Sequence, residues 1–259
     1  MNKTSIVPLL LSIFFFQTVL HGEEGFIPLF DGKTLEGWTS AHSRKEGDWG
    51  PFSVNEKEQA IHVYAGMEDG SEQSSDCLNT VAQFSHYILK LEYMWPGKRF
   101  APRQDWDRDA GLLYHVHGDL TKVWPLSLEM QIGETPGDHE GKRRYHTGDL
   151  FVLGKHLRAK VSRKEGYYDA TGEPVVGRGV RTKLGVERPM GEWNEMEIHV
   201  HGSEKATFIF NGETVLELTD MIQIIDGKHV PLEKGHIGLQ AEWAEIMYRN
   251  IRIKELPGQ

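Results

Sequence analysis

The chain has 259 residues, 39% hydrophobic and 26% charged, a balance that excludes intrinsic disorder and a polytopic membrane protein. Its 29 Lys+Arg against 38 Asp+Glu give a net charge of −9, which disfavours nucleic acid and anionic membrane as partners because both require a basic face. The single Cys77 rules out an intramolecular disulfide and every multi-cysteine zinc site.

The chain opens on Lys3 followed by a mostly apolar run from Ile6 to Leu20 that holds Phe14, Phe15 and Phe16, with Pro8 inside. A bilayer span takes about 20 apolar residues, so this segment reads as a secretory signal peptide over residues 1–22, cleaved after Gly22. No cysteine follows it to carry a lipid. The expected mature chain, residues 23–259, is a periplasmic or secreted acidic domain with no stable membrane insertion after processing.

Beyond it the punctuation belongs to β-structure. Asp31-Gly32, Asn211-Gly212 and Asp226-Gly227 are turn dipeptides,. Alternating runs at Tyr87 to Tyr93, Gly111 to His117, Ser127 to Ile132, Glu195 to His201, Ala206 to Phe210, Gly235 to Glu242 and Tyr248 to Lys254 predict short strands. Seven such runs, with no βαβ rhythm and no repeat of 20 to 50 residues, predict one all-β sandwich. Arg99 to Asp109, with Trp106, and Arg158 to Arg188, with Tyr167 and Tyr168, read as long surface loops, where function concentrates.

Strand periodicity sorts the side chains. Leu128, Met130 and Ile132 share one face, with Glu129 and Gln131 opposite; Leu112, Tyr114 and Val116 oppose Asp109, Gly111, His115 and His117,. Ile237, Leu239, Ala241 and Trp243 likewise oppose His236, Gly238, Gln240 and Glu242. The predicted core is Leu112, Tyr114, Leu128, Met130, Leu239 and Trp243. The other faces carry His, Glu and Gln rather than the Lys, Thr and Ser of an ordinary wet face, although an antiparallel sheet commonly has one solvated side.

The segment Phe26-Ile27-Pro28-Leu29-Phe30-Asp31-Gly32-Lys33-Thr34-Leu35-Glu36-Gly37-Trp38 resembles the entry motif of the 3-keto-disaccharide hydrolase family, and Asp109-Ala110-Gly111-Leu112-Leu113-Tyr114-His115-Val116 resembles its second motif. Glu129-Met130-Gln131-Ile132, Gly191-Glu192-Trp193-Asn194, Gly238-Leu239-Gln240 and Arg249-Asn250-Ile251 follow in the same order. The resemblance implies a concanavalin/laminarinase-like jelly-roll β-sandwich, usually exported, acting on oxidised glycosides. The Arg158 to Arg188 segment is a departure from the commoner pattern.

The implied chemistry is direct. A ketone at C3 of a sugar acidifies the C2 hydrogen; a base removes it, the C1 substituent leaves, and water adds back. One base, one acid and a stabiliser of the enolate oxygen are needed. Glu129 and His115 are the candidate proton-transfer pair. Gln131, Gln240, Asp109, His146, Asp149 and Glu242 are candidate substrate contacts, and Trp106 and Trp124, with Trp95, candidate sugar platforms. His146 and Asp149 equally fit a turn closed by local hydrogen bonds. His115, His117 and Glu129 could together hold a divalent cation such as zinc, iron or manganese, the candidate cofactor. Two other readings stay open: Glu129-x-Gln131-x-x-Glu134 is similar to the paired-carboxylate strand of retaining glucanases, and the same sandwich and tryptophans would serve a non-catalytic carbohydrate-binding module.

Overall fold

The computed structural model describes residues 24–42, 48–134, 146–182 and 187–258, so the predicted signal peptide lies outside the described residues. In chain order the strands are β1 (Ile27–Pro28), β2 (Trp38–Ser40), β3 (Phe52–Asn55), β4 (Ala60–Val63), β5 (Asp76–Thr80), β6 (His86–Met94), β7 (Asp109–His117), β8 (Leu126–Gly133), β9 (Leu150–Leu153) and β10 (Leu157–Lys164). They continue with β11 (Tyr167–Tyr168), β12 (Glu173–Gly177), β13 (Gly179–Val180), β14 (Asn194–His201), β15 (Lys205–Phe210), β16 (Glu213–Ile225), β17 (Lys228–Pro231), β18 (His236–Ala241) and β19 (Ile246–Glu255). All seven predicted strands are present, and no helix occurs among the described residues. The two paired sheets leave no element of another class, so the fold is the all-β sandwich the alternation predicts.

Twelve strands form one sheet along the path β11-β10-β16-β15-β14-β6-β19-β4-β3, with β1, β12 and β17 added at its side, and seven form the other in the order β13-β9-β8-β7-β18-β5-β2. The turn dipeptides act as their chemistry demands. Asn211 and Gly212, at φ 46° and 83°, and Asp226 and Gly227, at 49° and 75°, supply the two left-handed residues of the tight hairpins β15–β16 and β16–β17, conformations that Asn, Asp and Gly adopt at low cost.

Between the sheets alternation becomes packing. Tyr87, Leu89, Leu91 and Tyr93 of β6, with Met196, Ile198, Val200, Phe208 and Phe210 of its neighbours, face Leu112, Tyr114, Leu128, Met130, Ile132 and Leu239, all at most 1% exposed. Tyr114 meets Phe208 edge-on across the sheets at 5.9 Å between centroids. Each fully buried side chain of this size contributes about 1.5–3 kcal/mol.

Three expectations are corrected here. Arg158 to Arg188 is not a loop: its first half pairs β10 with β16 and with the β11 and β12 ribbon, extending the larger sheet. Trp243 is only partly buried and packs against the core from outside rather than within it. It stands past the end of β18 at φ 61°, so the alternation running through Ala241 stops and its ring meets Arg103 and Trp124 at the sheet's rim. The third is His115, at φ 50°. It lies in a bulge where the β7–β8 register shifts between Tyr114 and His117. A bulge adds one residue and exchanges the faces beyond it. Val116 accordingly leaves the face of Leu112 and Tyr114 and clusters with Leu113, Cys77 and Ala41.

Candidate active site

The seven-stranded sheet is buried on both sides: eight of the nine residues of β7 and seven of the eight of β8 are buried. Its inner face is the core. On its outward face, register places Asp109 opposite Gly133, Gly111 opposite Gln131 and Leu113 opposite Glu129, while Gln240 opposes Cys77 and Gly238 opposes Asn79. Directly opposed residues share a face, so Asp109, Glu129, Gln131, Gln240 and Asn79 form one polar layer, bordered on the same face by the apolar Leu113 and Cys77.

Gly111 is the gap in that layer. A β-carbon there would lie 2.2 Å from Gln240 Oε1 and 2.3 Å from Glu129 Oε1, so both side chains lean over the bare backbone from neighbouring strands. Glu129 is 4% exposed. Burial first, then the charges of Glu242 and Asp109, push its carboxyl well above the usual range,. Among the described residues no group donates a hydrogen bond to it. Gln240 Oε1 is likewise buried without a partner. Polar groups so placed are costly to leave unsatisfied, and they converge on one spot.

A wall rises along one edge of this layer. The Arg103 guanidinium lies 3.4 Å from each Asp109 carboxylate oxygen and 3.6 Å from Glu242 Oε2. It sits over the rings of Trp106 and Trp243, at 4.8 and 4.3 Å from their centroids. Trp124 stands 6.3 Å from Trp243 and donates its indole N–H to Glu242 Oε1. Trp106 and Trp124 remain 41% and 46% exposed and present open aromatic faces beside the polar layer.

The structure thus brings together Glu129, Gln131, Asp109, Gln240, Glu242, Trp106 and Trp124, and sets other candidates apart. His115 is fully buried, with Nε2 2.9 Å from the Gly202 carbonyl oxygen of the opposite sheet. Desolvation lowers its pKa to about 4. The bulge therefore removes it from the proton-transfer pair. His117 turns its Nδ1 to the His115 carbonyl oxygen at 2.8 Å, so His115, His117 and Glu129 do not converge and do not fit a cation. No other group of three His, Cys, Asp or Glu able to hold a metal occurs among the described residues.

Asp149 anchors a loop. Its Oδ1 accepts from Thr182 N–H at 2.7 Å and Thr182 Oγ1 at 3.0 Å, and its Oδ2 from His146 N–H at 3.0 Å. That is the turn reading of His146 and Asp149. Trp95 is core, its indole N–H donated to Glu187 Oε1.

Glu134, the second carboxylate of the glucanase-like spacing, is bound by Arg108 and Arg99. Burial pushes it upward, but the Arg108 N–H and both guanidiniums outweigh that and hold its carboxyl below the ordinary value. Sequence reasoning missed Arg103, Cys77, Asn79 and the rim position of Trp243, and placed Gly111 on this face without its role as the gap. Only the charged, tryptophan-bearing Arg99 to Asp109 segment signalled Arg103.

A family model described as the 3-keto-alpha-glucoside-1,2-lyase-like domain matches residues 25–254. Among solved structures, the chain is similar to a candidate glycosyl hydrolase of Parabacteroides distasonis ATCC 8503, at 18% identity and TM-score 0.58 over 90% of this chain and 95% of the other. A second such protein of that organism gives 20% identity and TM-score 0.55 over 89% and 99%. A Bacillus subtilis protein of unknown function with a galectin-like fold gives 14% identity and TM-score 0.53 over 90% and 96%. These likenesses support the jelly-roll sandwich. No curated protein matches the chain significantly. With the family model spanning nearly all of both sheets and the whole polar layer, the chain belongs to the 3-keto-alpha-glucoside-1,2-lyase-like domain family.

Proposed function

We propose that this chain cleaves glycosides oxidised at C3 by elimination across C1 and C2. The observation that carries the reading is Glu129, a carboxyl buried beside Asp109 and Glu242 with no hydrogen-bond donor among the described residues. Burial and like charge raise the proton affinity of its carboxylate, bringing its basicity toward that of a working general base. The carboxylate takes the C2 hydrogen as a proton, and the electron pair of that bond passes into the C3 carbonyl as an enolate. The enolate collapses to a C1–C2 double bond as the C1–O bond breaks. Glu129, now protonated, can return its proton to the departing oxygen when both lie on the same side of the ring, so one residue serves as base and then acid. Water adding across the double bond completes a net hydrolysis.

Gln131 and Gln240 supply neutral amide donors and acceptors for the sugar hydroxyls and the enolate oxygen, and the exposed rings of Trp106 and Trp124 a platform for the sugar or its leaving group. The family description names the same bond relationship. Export through the apolar N-terminal run is part of the proposal, checked by the intact mass of protein made in an exporting host.

The test is to incubate the protein with a 3-keto disaccharide and with its unoxidised parent in deuterated water. Cleavage of the keto sugar alone, with deuterium at C2 of the product, is expected. Glu129→Gln keeps shape but loses basicity and should lower turnover by about 10² to 10⁴, the usual worth of a general acid–base. Cleavage of the parent, or unlabelled product, would overturn the reading.

A further inference from the structure

The outward face holds three buried carboxylates around one gap, yet only two of them touch a cation. Asp109 and Glu242 both meet Arg103, at 3.4 and 3.6 Å, and Glu129 does not. Arg103 comes from the segment between β6 and β7, Asp109 from β7, and Glu242 from the residue after β18, so the guanidinium ties together elements far apart in sequence. Its plane is fixed by the two indoles on which it lies, Trp106 and Trp243. Trp243 is pinned in turn: its indole N–H is donated to the Gln73 carbonyl at 2.7 Å and its backbone N–H to the Tyr64 hydroxyl at 3.2 Å.

We propose that Arg103 is a positioning residue, which holds Asp109 and Glu242 against the rim and so leaves Glu129 as the one carboxylate of the three free to engage substrate. A planar fork suits this task. Its Nη1 lies between the two carboxylates while the delocalised plane stacks on two aromatic faces, a stacking that the compact, strongly hydrated ammonium of lysine does not reproduce. Without Arg103, Asp109 and Glu242 would lose the cation they share. They would relax into the space over Gly111 or take protons there, and the geometry around Glu129 would collapse. The inference rests on the reading of Glu129 as the proton-transfer group.

The experiment replaces Arg103 by Ala and by Lys in the full chain and adds back guanidinium ion at millimolar concentration, below denaturing levels. Far-ultraviolet circular dichroism checks that each variant is folded, and Arg103→Lys provides a second variant that keeps the charge. Expected is a loss of at least about 100-fold in kcat/KM for Arg103→Ala, in the range seen when one fixed polar partner of a reacting centre is removed. Partial recovery, about tenfold or more, should follow with guanidinium but not with sodium at equal ionic strength. Arg103→Lys should fall between wild type and Arg103→Ala.

Tryptophan fluorescence reads the slot without any turnover. Guanidinium should change the emission of substrate-free Arg103→Ala saturably and leave wild type unaffected, because Trp106 and Trp243 form the walls. An Arg103→Ala within threefold of wild type, or one whose emission shows the slot filled without any recovery of rate, would overturn the inference while the proposed reaction stands. A wild type that turns over no 3-keto glycoside, beside a saturable emission change in Arg103→Ala, overturns the reaction instead and leaves Arg103 as the organiser of the two carboxylates.

Discussion

Gly111 is the residue that makes room for Glu129: a β-carbon at that position would stand 2.3 Å from Glu129 Oε1 and 2.2 Å from Gln240 Oε1. Its backbone is an ordinary strand, so the requirement is for space and not for a special dihedral angle. Gly111→Ala should therefore fold while displacing both side chains, at a cost of about 1–3 kcal/mol for overpacking. Displacement on the order of 1 Å from a reacting geometry costs about 10²-fold in rate. The expected outcome is a modest fall in melting temperature with a loss of kcat/KM on that order. Wild-type kinetics in a folded Gly111→Ala would refute the assignment.

The second prediction concerns stability and follows from the sign of the Glu129 shift. Its carboxyl lies above the usual range in the folded chain, so the folded state holds the proton more tightly than the unfolded one. The associated stability is fully present below the unfolded value of about 4.3 and is lost as pH rises through the folded value. Glu129→Gln carries no such cost. The variant should melt above wild type at neutral pH, with the gap closing toward pH 4. A variant less stable than wild type at every pH would contradict it.

His115 gives a pH dependence of opposite direction. Its pKa falls from the ordinary 6.5 to about 4 through burial, so the unfolded chain takes up a proton first as pH drops. Stability from the neutral imidazole is whole above 6.5 and is lost progressively down to about 4, amounting to about 3 kcal/mol across that window. Urea unfolding of His115→Gln should lack most of this slope between pH 6.5 and 4. Because His115 faces the opposite sheet while Glu129 lies on the outward face, the variant's kcat should stay within a few-fold of wild type; a catalytic loss of 10² or more would return His115 to the reaction.

Asp149 tests the anchoring role. Three donors from Thr182 and His146 converge on its buried carboxylate, and leaving them unpaired costs about 1–3 kcal/mol for the site. Asp149→Ala should lower the unfolding free energy by that amount in urea titration. Asp149→Asn, which keeps an acceptor, should lose less.

The inner half of this structure was legible because a strand writes its faces with period two: Leu128, Met130 and Ile132 pack inward as their spacing requires, and Glu129 and Gln131 lie opposite. What escaped is what period two does not encode. The bulge that turns His115 is decided by register against β8, and Trp243 follows the chain after pairing has ended. Arg103 belongs to an irregular segment and reaches its carboxylates only through tertiary placement, so no spacing in the chain announces it. The β10 to β13 region hid as a loop because its glycines and charges mask strands at the margins of the sheets, β10 to β12 in the larger one and β13 at the edge of the smaller.

Because β7 and β8 are covered on both sides, even-numbered positions from 128 to 132 answer to the interior and odd-numbered ones from 129 to 131 to the outward polar face over Gly111. Neighbours in the chain thus answer to separate selective demands. A saturation library confined to the odd positions and to Gly111 would explore new substrates on an undisturbed scaffold, whereas the same number of changes at even positions would be spent mostly on chains that never fold.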